Sequence, residues 1–555
     1  MAQAPSDARR HPAGLYICFF TEMWERFGYY LMVGILFLYL RDTVSHGGRG
    51  LDNRLATDIV GSYVALVFLT PFIGGLVADR YWGYRRSVIV GGVLMASGYF
   101  LLAYGGSNVL MFSALGLIIL GNGFFKANIS TMVGNLYNTD ALKPKKDAAY
   151  NIFYMGINIG AFSCNFVAAY LRNHYGWGHA FAAAGFGMVL GVVIFVSGIG
   201  TLRTADVRSP VRPGDVGLTQ VLLSVFAPAL AVGAVGWFLP GNFLGSDSND
   251  AFVFACVPIV YFYVRLWWKS NPVEKRRVGT LLVMFAASLL FWNIYNQNAT
   301  ALTIWAETYT NRNMPSAIEP ALRRFDLAQT VNRTPKEVPV LDDRFHTELG
   351  TDGKVVTHQS LDPYFKNLPR DQWPAEGQDL KLISTELFQS INPFWIIFLT
   401  PIFVGFFGWL RSRGKEPSTP TKMALGIVVC GISSLVMVAA ALSGNIYAHK
   451  VSPGWLFASY GVFTLSELSL SPIGLSLVSK VAPRRITGLM MGGFFLTISL
   501  GGKISAILTS FWDKFDSKAL FFGISAAAAI LAGLALLPLT RRLAAVVEEA
   551  NASNE

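Results

Sequence analysis

The chain runs again and again through about twenty consecutive apolar residues, the length a helix needs to cross a bilayer. Such stretches are read at 15–40, 58–78, 87–105, 108–134, 149–171, 180–201 and 218–239. Seven more follow at 251–270, 278–306, 386–410, 422–443, 453–480, 486–510 and 518–540. In hydrocarbon each backbone N–H and C=O must be satisfied within its own segment, so spans of this kind are helices. The sequence predicts an all-α polytopic membrane protein with fourteen transmembrane helices, an even number that leaves both termini on one side. Only 14% of residues are charged, against about 25% in a soluble protein.

The net charge of +11 does not point to nucleic acid, because Lys and Arg fall in short clusters between apolar runs. That distribution sets membrane orientation. Arg9/Arg10, Arg80/Arg85/Arg86, Lys143/Lys145/Lys146, Arg203/Arg208/Arg212 and Arg276/Arg277 fall on one side. Arg411/Arg413/Lys415, Arg484/Arg485 and Arg541/Arg542 join them, and few basic residues fall opposite. Both termini are therefore expected in the cytoplasm. Glu22 lies within eight residues of the start of the first apolar run, so that run reads as a retained helix rather than a signal peptide. Cys18, Cys164, Cys256 and Cys430 are far apart within apolar stretches and read as inert thiols. No metal or cofactor spacing is present. Residues 307–385 are polar and Pro-containing and face outward, as a small folded cap or an irregular loop.

"LTPFIGG" (Leu69–Gly75) recurs as "LTPIFVG" (Leu399–Gly405). Discounting the insert and two extra spans, the offset matches one six-helix half. The reading is a six-helix bundle over 1–202, a linker and extra hairpin over 203–272, and a second bundle over 273–545. A tail follows at 546–555. Parallel six-helix halves are the architecture of major facilitator transporters, which hold substrate near the midplane. "GLVADRYWGYRR" (Gly75–Arg86) resembles the loop motif of that superfamily. Asp79 would accept hydrogen bonds from a helix N-terminus, while Arg80, Arg85 and Arg86 would brace the closed cytoplasmic side.

"FTEMWERFGYY" (Phe20–Tyr30) places Glu22, Glu25 and Arg26 inside the first span. Each such charge costs about 2.5–3.5 kcal/mol at mid-bilayer on insertion scales, so ionisable groups there default to functional roles. Glu22 and Arg26 are i, i+4, the favourable order for a helical pair. Lys126 in "GNGFFKANIS" and Glu467 in "FTLSELSLSP" are buried in later spans and are expected to face one cavity. Glu22, Glu25, Arg26 and Lys126 sum to zero formal charge, so protonating one glutamate unbalances the set. Lys503 in "SLGGKIS" is expected to snorkel to the outer interface.

"EMWERFGYY" resembles the Glu-x-x-Glu-Arg-Phe-x-Tyr-Tyr motif of the proton-dependent oligopeptide transporter family. "FYMGINIG" (Phe153–Gly160) is similar to that family's fifth-helix signature. "INPFWIIFLTPIF" (Ile391–Phe403) and "ELSLSPIGLS" (Glu467–Ser476) resemble further family stretches. The resemblance implies symport of protons with di- and tripeptides, in a bacterial inner membrane, by a chain that works as a monomer. It implies that Arg26 and Lys126 attract the peptide carboxylate and that Glu467 receives the amino terminus. Asn158 and Asn392 would bond the peptide backbone, Tyr30 would line the pocket, and Glu22 and Glu25 would couple protons with Arg26 and Lys126. The alternative within transport is another zwitterion or anion, such as an amino acid, a peptide-like compound or nitrate. No catalytic motif supports an enzyme.

Phe494 in "GGFFLT" stands at the Trp position usual in the family's eleventh core helix, and two further positions depart from the family pattern. Val33 stands where an arginine is usual, and "FWNIYNQ" puts Asn296 where an acid belongs. In the family these two groups can pair as an outer gate. Losing one alone would strand a charge, so their joint absence predicts that closure relies on other contacts.

Overall fold

The computed structural model describes all residues except 1–10, 140–141, 208–217, 315–318, 484–485 and 553–555. Arg9, Arg10, Arg208, Arg212, Arg484 and Arg485, used above for orientation, lie outside the described residues.

Helices occupy every stretch read as a span. The first six are α1 (Ala13–Arg41), α2 (Asn53–Val77), α3 (Tyr84–Tyr104), α4 (Asn108–Asn135), α5 (Lys146–Tyr175) and α6 (Trp177–Ser197). Eleven of the described helices are long and apolar enough to cross a membrane. The chain divides into two compact units, Met1–Leu36 with Leu66–Pro213, and Phe37–Ala65 with Gly214–Glu555. The boundary falls inside α1 and α2, whose facing ends group with the second unit.

In the first unit, small residues let helices approach closely, the usual means of association where burial from water supplies no drive. A Cβ on Gly91 of α3 would lie 2.6 Å from the Gly121 carbonyl of α4, and one on Gly160 of α5 would lie 2.4 Å from the Met23 carbonyl. The second contact pins the charged stretch of α1 against α5.

In the second unit the extra hairpin is less regular than its composition suggests. The predicted single span at 218–239 is a short helix (Leu218–Val221), a wide π-type turn (Leu222–Phe226) and a helix (Ala227–Phe238). Its partner runs Asp247–Lys269. The span read at 278–306 is likewise divided. Pro272–Asn296 ends in a 3-10 turn at Gln297–Ala299, and Ala301–Thr308 resumes. The second break falls on the polar run Asn296–Asn298, and the helix at Ala227 restarts with Pro228 in its first turn. Helices Ile391–Ser412, Thr419–Leu442, Gly454–Val481, Thr487–Ser510 and Lys518–Leu536 complete the unit. Both words of the internal repeat lie in helices that contain a proline, Pro71 and Pro401.

The insert is folded. β1 (Ala328–Val331) pairs antiparallel with β4 (Leu380–Ile383), and β2 (Lys336–Pro339) with β3 (Thr357–Ser360). Val331, Tyr364, Phe365, Leu368 and Leu382 form a small core. The Asn367 amide donates to the Thr308 and Ile446 carbonyls at 3.2 and 2.9 Å. The Lys450 ammonium donates to Thr308 and to Asn367 at 2.9 and 2.7 Å. Burial, with Arg312 nearby, pushes the Lys450 ammonium well below the usual lysine range.

Candidate functional site: two ionic centres and a braced loop

The first centre is built on α1. Glu22, Glu25 and Arg26 are each at most 2% exposed. The guanidinium meets the Glu25 carboxylate side-on, with Nη2 2.6 Å from Oε1 and Nε paired to Oε2. Glu22 Oε1 lies farther off, 3.4 Å from Nε. The partner indicated by i, i+4 spacing is thus the weaker one. A long guanidinium side chain folds sideways to make a two-point contact with its immediate neighbour, and such bidentate geometry is the stronger arrangement. Glu22 Oε2 is buried with no hydrogen-bond partner.

Around this pair stand groups from α1, α2 and α4. Asn122 lies 3.3 Å from Glu25 Oε1, and with its amide turned it accepts from Arg26 Nη2 at 3.2 Å and donates to the Val67 carbonyl. Arg26 also sits over the Tyr29 ring at 4.7 Å, and that ring makes an edge contact with Tyr30. Lys126, one turn beyond Asn122, has its ammonium 3.9 Å from the centre of the Phe68 ring. Among the described residues it has no acid within ion-pair distance. The zero-sum set is therefore not one network, since Arg26 takes both glutamates and Lys126 stands apart. Asn158 on α5 is buried and donates back to the Tyr154 carbonyl at 2.9 Å.

The second centre is in the other unit. Glu467 and Asn392 are 6% and 4% exposed, and the Asn392 amide donates to Glu467 Oε2 at 2.8 Å and to Thr464 Oγ1 at 3.1 Å. One turn before Thr464, the Tyr460 hydroxyl donates to Asn298 Oδ1 at 2.5 Å. Asn392 lines a cavity with Asn298, Ser434, Ser459 and Tyr460. Asn392 and Glu467 were both readable in the sequence; their mutual contact was not.

The loop motif forms a third element. The Tyr84 hydroxyl donates to Asp79. The N-terminus of α3 is capped by Asp206, which accepts from the backbone of Tyr84 at 2.7 Å and pairs with Arg85 Nε at 2.8 Å. Gly83, with φ 78°, turns the chain into this cap as only glycine does without strain. Arg86 is exposed. Sequence reading missed Asp206, although it is the only acid in the basic stretch "TLRTADVR". It also missed Asn122, which the i, i+4 spacing to Lys126 would have flagged.

The sequence pattern of the POT family matches residues 85–325 and 379–528. This chain belongs to the POT family. The gap in the match, 326–378, falls within the folded cap. An uncharacterized transporter, YclF, of Bacillus subtilis (strain 168) is 30% identical over 95% of this chain and 93% of its own length. The di-/tripeptide transporter of Lactococcus lactis subsp. cremoris is 31% identical over 95% of this chain and 94% of its own. A crystal structure of the peptide transporter POT in complex with sulfate superposes with a TM-score of 0.73 at 31% identity, covering 97% of this chain and 96% of that one. The fold of this POT-family chain is the helical major facilitator fold, and it is a membrane transporter rather than an enzyme.

Proposed function

We propose that this POT-family chain is a proton-coupled symporter that imports di- and tripeptides by alternating access. It crosses the bacterial inner membrane fourteen times with both termini in the cytoplasm and the cap outside, and works as a monomer. A zwitterionic ligand needs a cationic pole, an anionic pole and amide groups for its backbone. Lys126 and Arg26 serve the peptide carboxylate, Glu467 the amino terminus, and Asn158 and Asn392 the backbone, with Tyr30 lining the pocket. Asp79, Arg80, Arg85 and Arg86 act at the cytoplasmic gate.

The observation that carries the reading is the division of charge on the first centre. Arg26 is occupied by Glu25, and among the described residues Lys126 has no acid within ion-pair distance. Glu22, with one buried oxygen unpartnered, is the carboxylate best placed to take a proton. Protonating it releases Arg26 from one of two acids, and a bound carboxylate restores the balance. The di-/tripeptide transporter from Lactococcus supports peptides as the cargo of this chain too. Uptake of labelled dialanine into proteoliposomes under an imposed pH gradient tests the reading. Accumulation that collapses with the gradient is expected, and no uptake by intact protein refutes it. An amino acid, a peptide-like compound and nitrate, offered in the same assay, are expected to fail.

A further inference from the structure

We propose that Asp58 and Lys503, with the hydroxyls of Ser62 and Ser248, form the lock that holds the cap side of this carrier shut. The proposal rests on the alternating-access reading given above. Lys503 does not snorkel to the outer interface as expected; it is fully buried, and Asp58 is 8% exposed. Its ammonium lies 2.5 Å from Asp58 Oδ1, 2.8 Å from Ser62 Oγ and 3.1 Å from Ser248 Oγ. All three donors of the ammonium are thereby used. Ser248 in turn donates to Asp58 Oδ1 at 3.0 Å and lies 3.0 Å from Ser62 Oγ. Three helices meet at this point: α2, Thr487–Ser510 and the hairpin helix Asp247–Lys269.

The packing beside the pair is tight enough to make contact all-or-none. A Cβ on Gly61 would fall 2.1 Å from Ala506 Cβ, and one on Gly502 would fall 2.9 Å from Val64 Cγ1. Ser499 Oγ donates to the Ala65 carbonyl at 2.7 Å. The seam runs from Asp58 to Ala65 and ends where α2 passes into the other compact unit. Opening the cap side therefore requires residues 58–65 to leave the helix that carries Lys503. The position is apt, because the usual gate is missing close by. Asn296 is 3.5 Å from where a Gly502 Cβ would stand, and its amide donates to its own helix at Trp292, 2.7 Å away. A buried, fully bonded ion pair adds little net stability over apolar packing, yet it fixes one geometry and is costly to leave half-made. Those are the properties of a two-position lock.

The test places spin labels at Val44→Cys and Leu442→Cys, 73% and 70% exposed, in full-length protein carrying Cys256→Ser. Pulsed dipolar spectroscopy then reads the distance across the cap side in nanodiscs. Asp58→Asn and Lys503→Met are expected to raise the longer-distance population by about tenfold, and Ser248→Ala by about two- to threefold. The exchange Asp58→Lys with Lys503→Asp is expected to return the distribution towards that of the parent. Gly61→Val, with both charges intact, is expected to open the same side. Parent-like distributions in both neutralised variants, with only a lower melting temperature, would make the pair a static brace and overturn the proposal. Should the neutralised variants fail to fold, Ser248→Ala decides by the same readout. No peptide is needed, so failed dialanine uptake by the parent would refute the cargo and leave the lock standing.

Discussion

Among the described residues, two of the buried ionic clusters are built in opposite ways. At Asp58–Lys503 every ammonium donor is taken by an oxygen and two serines close the ring. At Glu22–Glu25–Arg26 one carboxylate is doubly held, the other keeps an unpartnered oxygen, and Lys126 rests against an aromatic ring. A satisfied cluster has one good arrangement and resists change. An under-satisfied one gains a partner from any proton or carboxylate that arrives. The contrast suits a lock at one place and a ligand-responsive switch at the other, although both look the same in sequence: charges inside apolar runs.

The sharpest way to break this comparison is at Glu22. Glu22→Gln supplies the proton permanently, so gradient-driven accumulation should fall to a ratio of about 1 while counterflow exchange persists. If accumulation were undiminished, the switch assignment would fail. Next in size is Glu467. Removing one member of a buried charged hydrogen bond costs about 2 kcal/mol or more, so Glu467→Ala should raise the KM for dialanine at least about thirtyfold. Unaltered KM would separate the second centre from the ligand.

A smaller effect is expected at Asp206, which caps α3 and holds Arg85. Loss of such a cap costs about 1–2 kcal/mol, so Asp206→Ala should lower the melting temperature by a few degrees with peptide KM unchanged. The smallest belongs to Glu416, which contacts Arg411 at 2.6 Å and Lys422 at 2.5 Å at the surface. Hydrogen bonds from Arg411 and then Lys422 hold its carboxyl down at about 2. A depressed carboxyl contributes stability above its unfolded value near pH ~4.3, and that contribution is lost as pH falls towards 2. Solvent screening keeps it within about 1 kcal/mol. Melting curves of Glu416→Gln should thus differ little from the parent at pH 7 and merge with it in acid.

What was legible in the sequence follows the same physics. Helices were legible because hydrocarbon demands long apolar runs, and the charges on α1 were legible because they violate them. Partners across helices were not. Nothing in "RLATDIVGSY" or "SLGGKIS" says that Asp58 meets Lys503, since periodicity describes one helix at a time. Of the hydroxyls that complete the ring, Ser62 stands one turn from Asp58 on the same helix, and Ser248 comes from a further place in the chain. Arg26 illustrates the same limit at short range, its nearer acid being the neighbour that helical spacing discounts. The cap was left open between fold and loop because its strands are only four residues long, too short for alternation to register.

The most direct test of the account is proton flux in proteoliposomes loaded with a pH-sensitive dye, with dialanine added outside and no imposed gradient. Peptide addition should acidify the lumen of parent vesicles and leave Glu22→Gln vesicles unchanged, although both exchange peptide. Peptide entry into parent vesicles without acidification would contradict proton coupling outright.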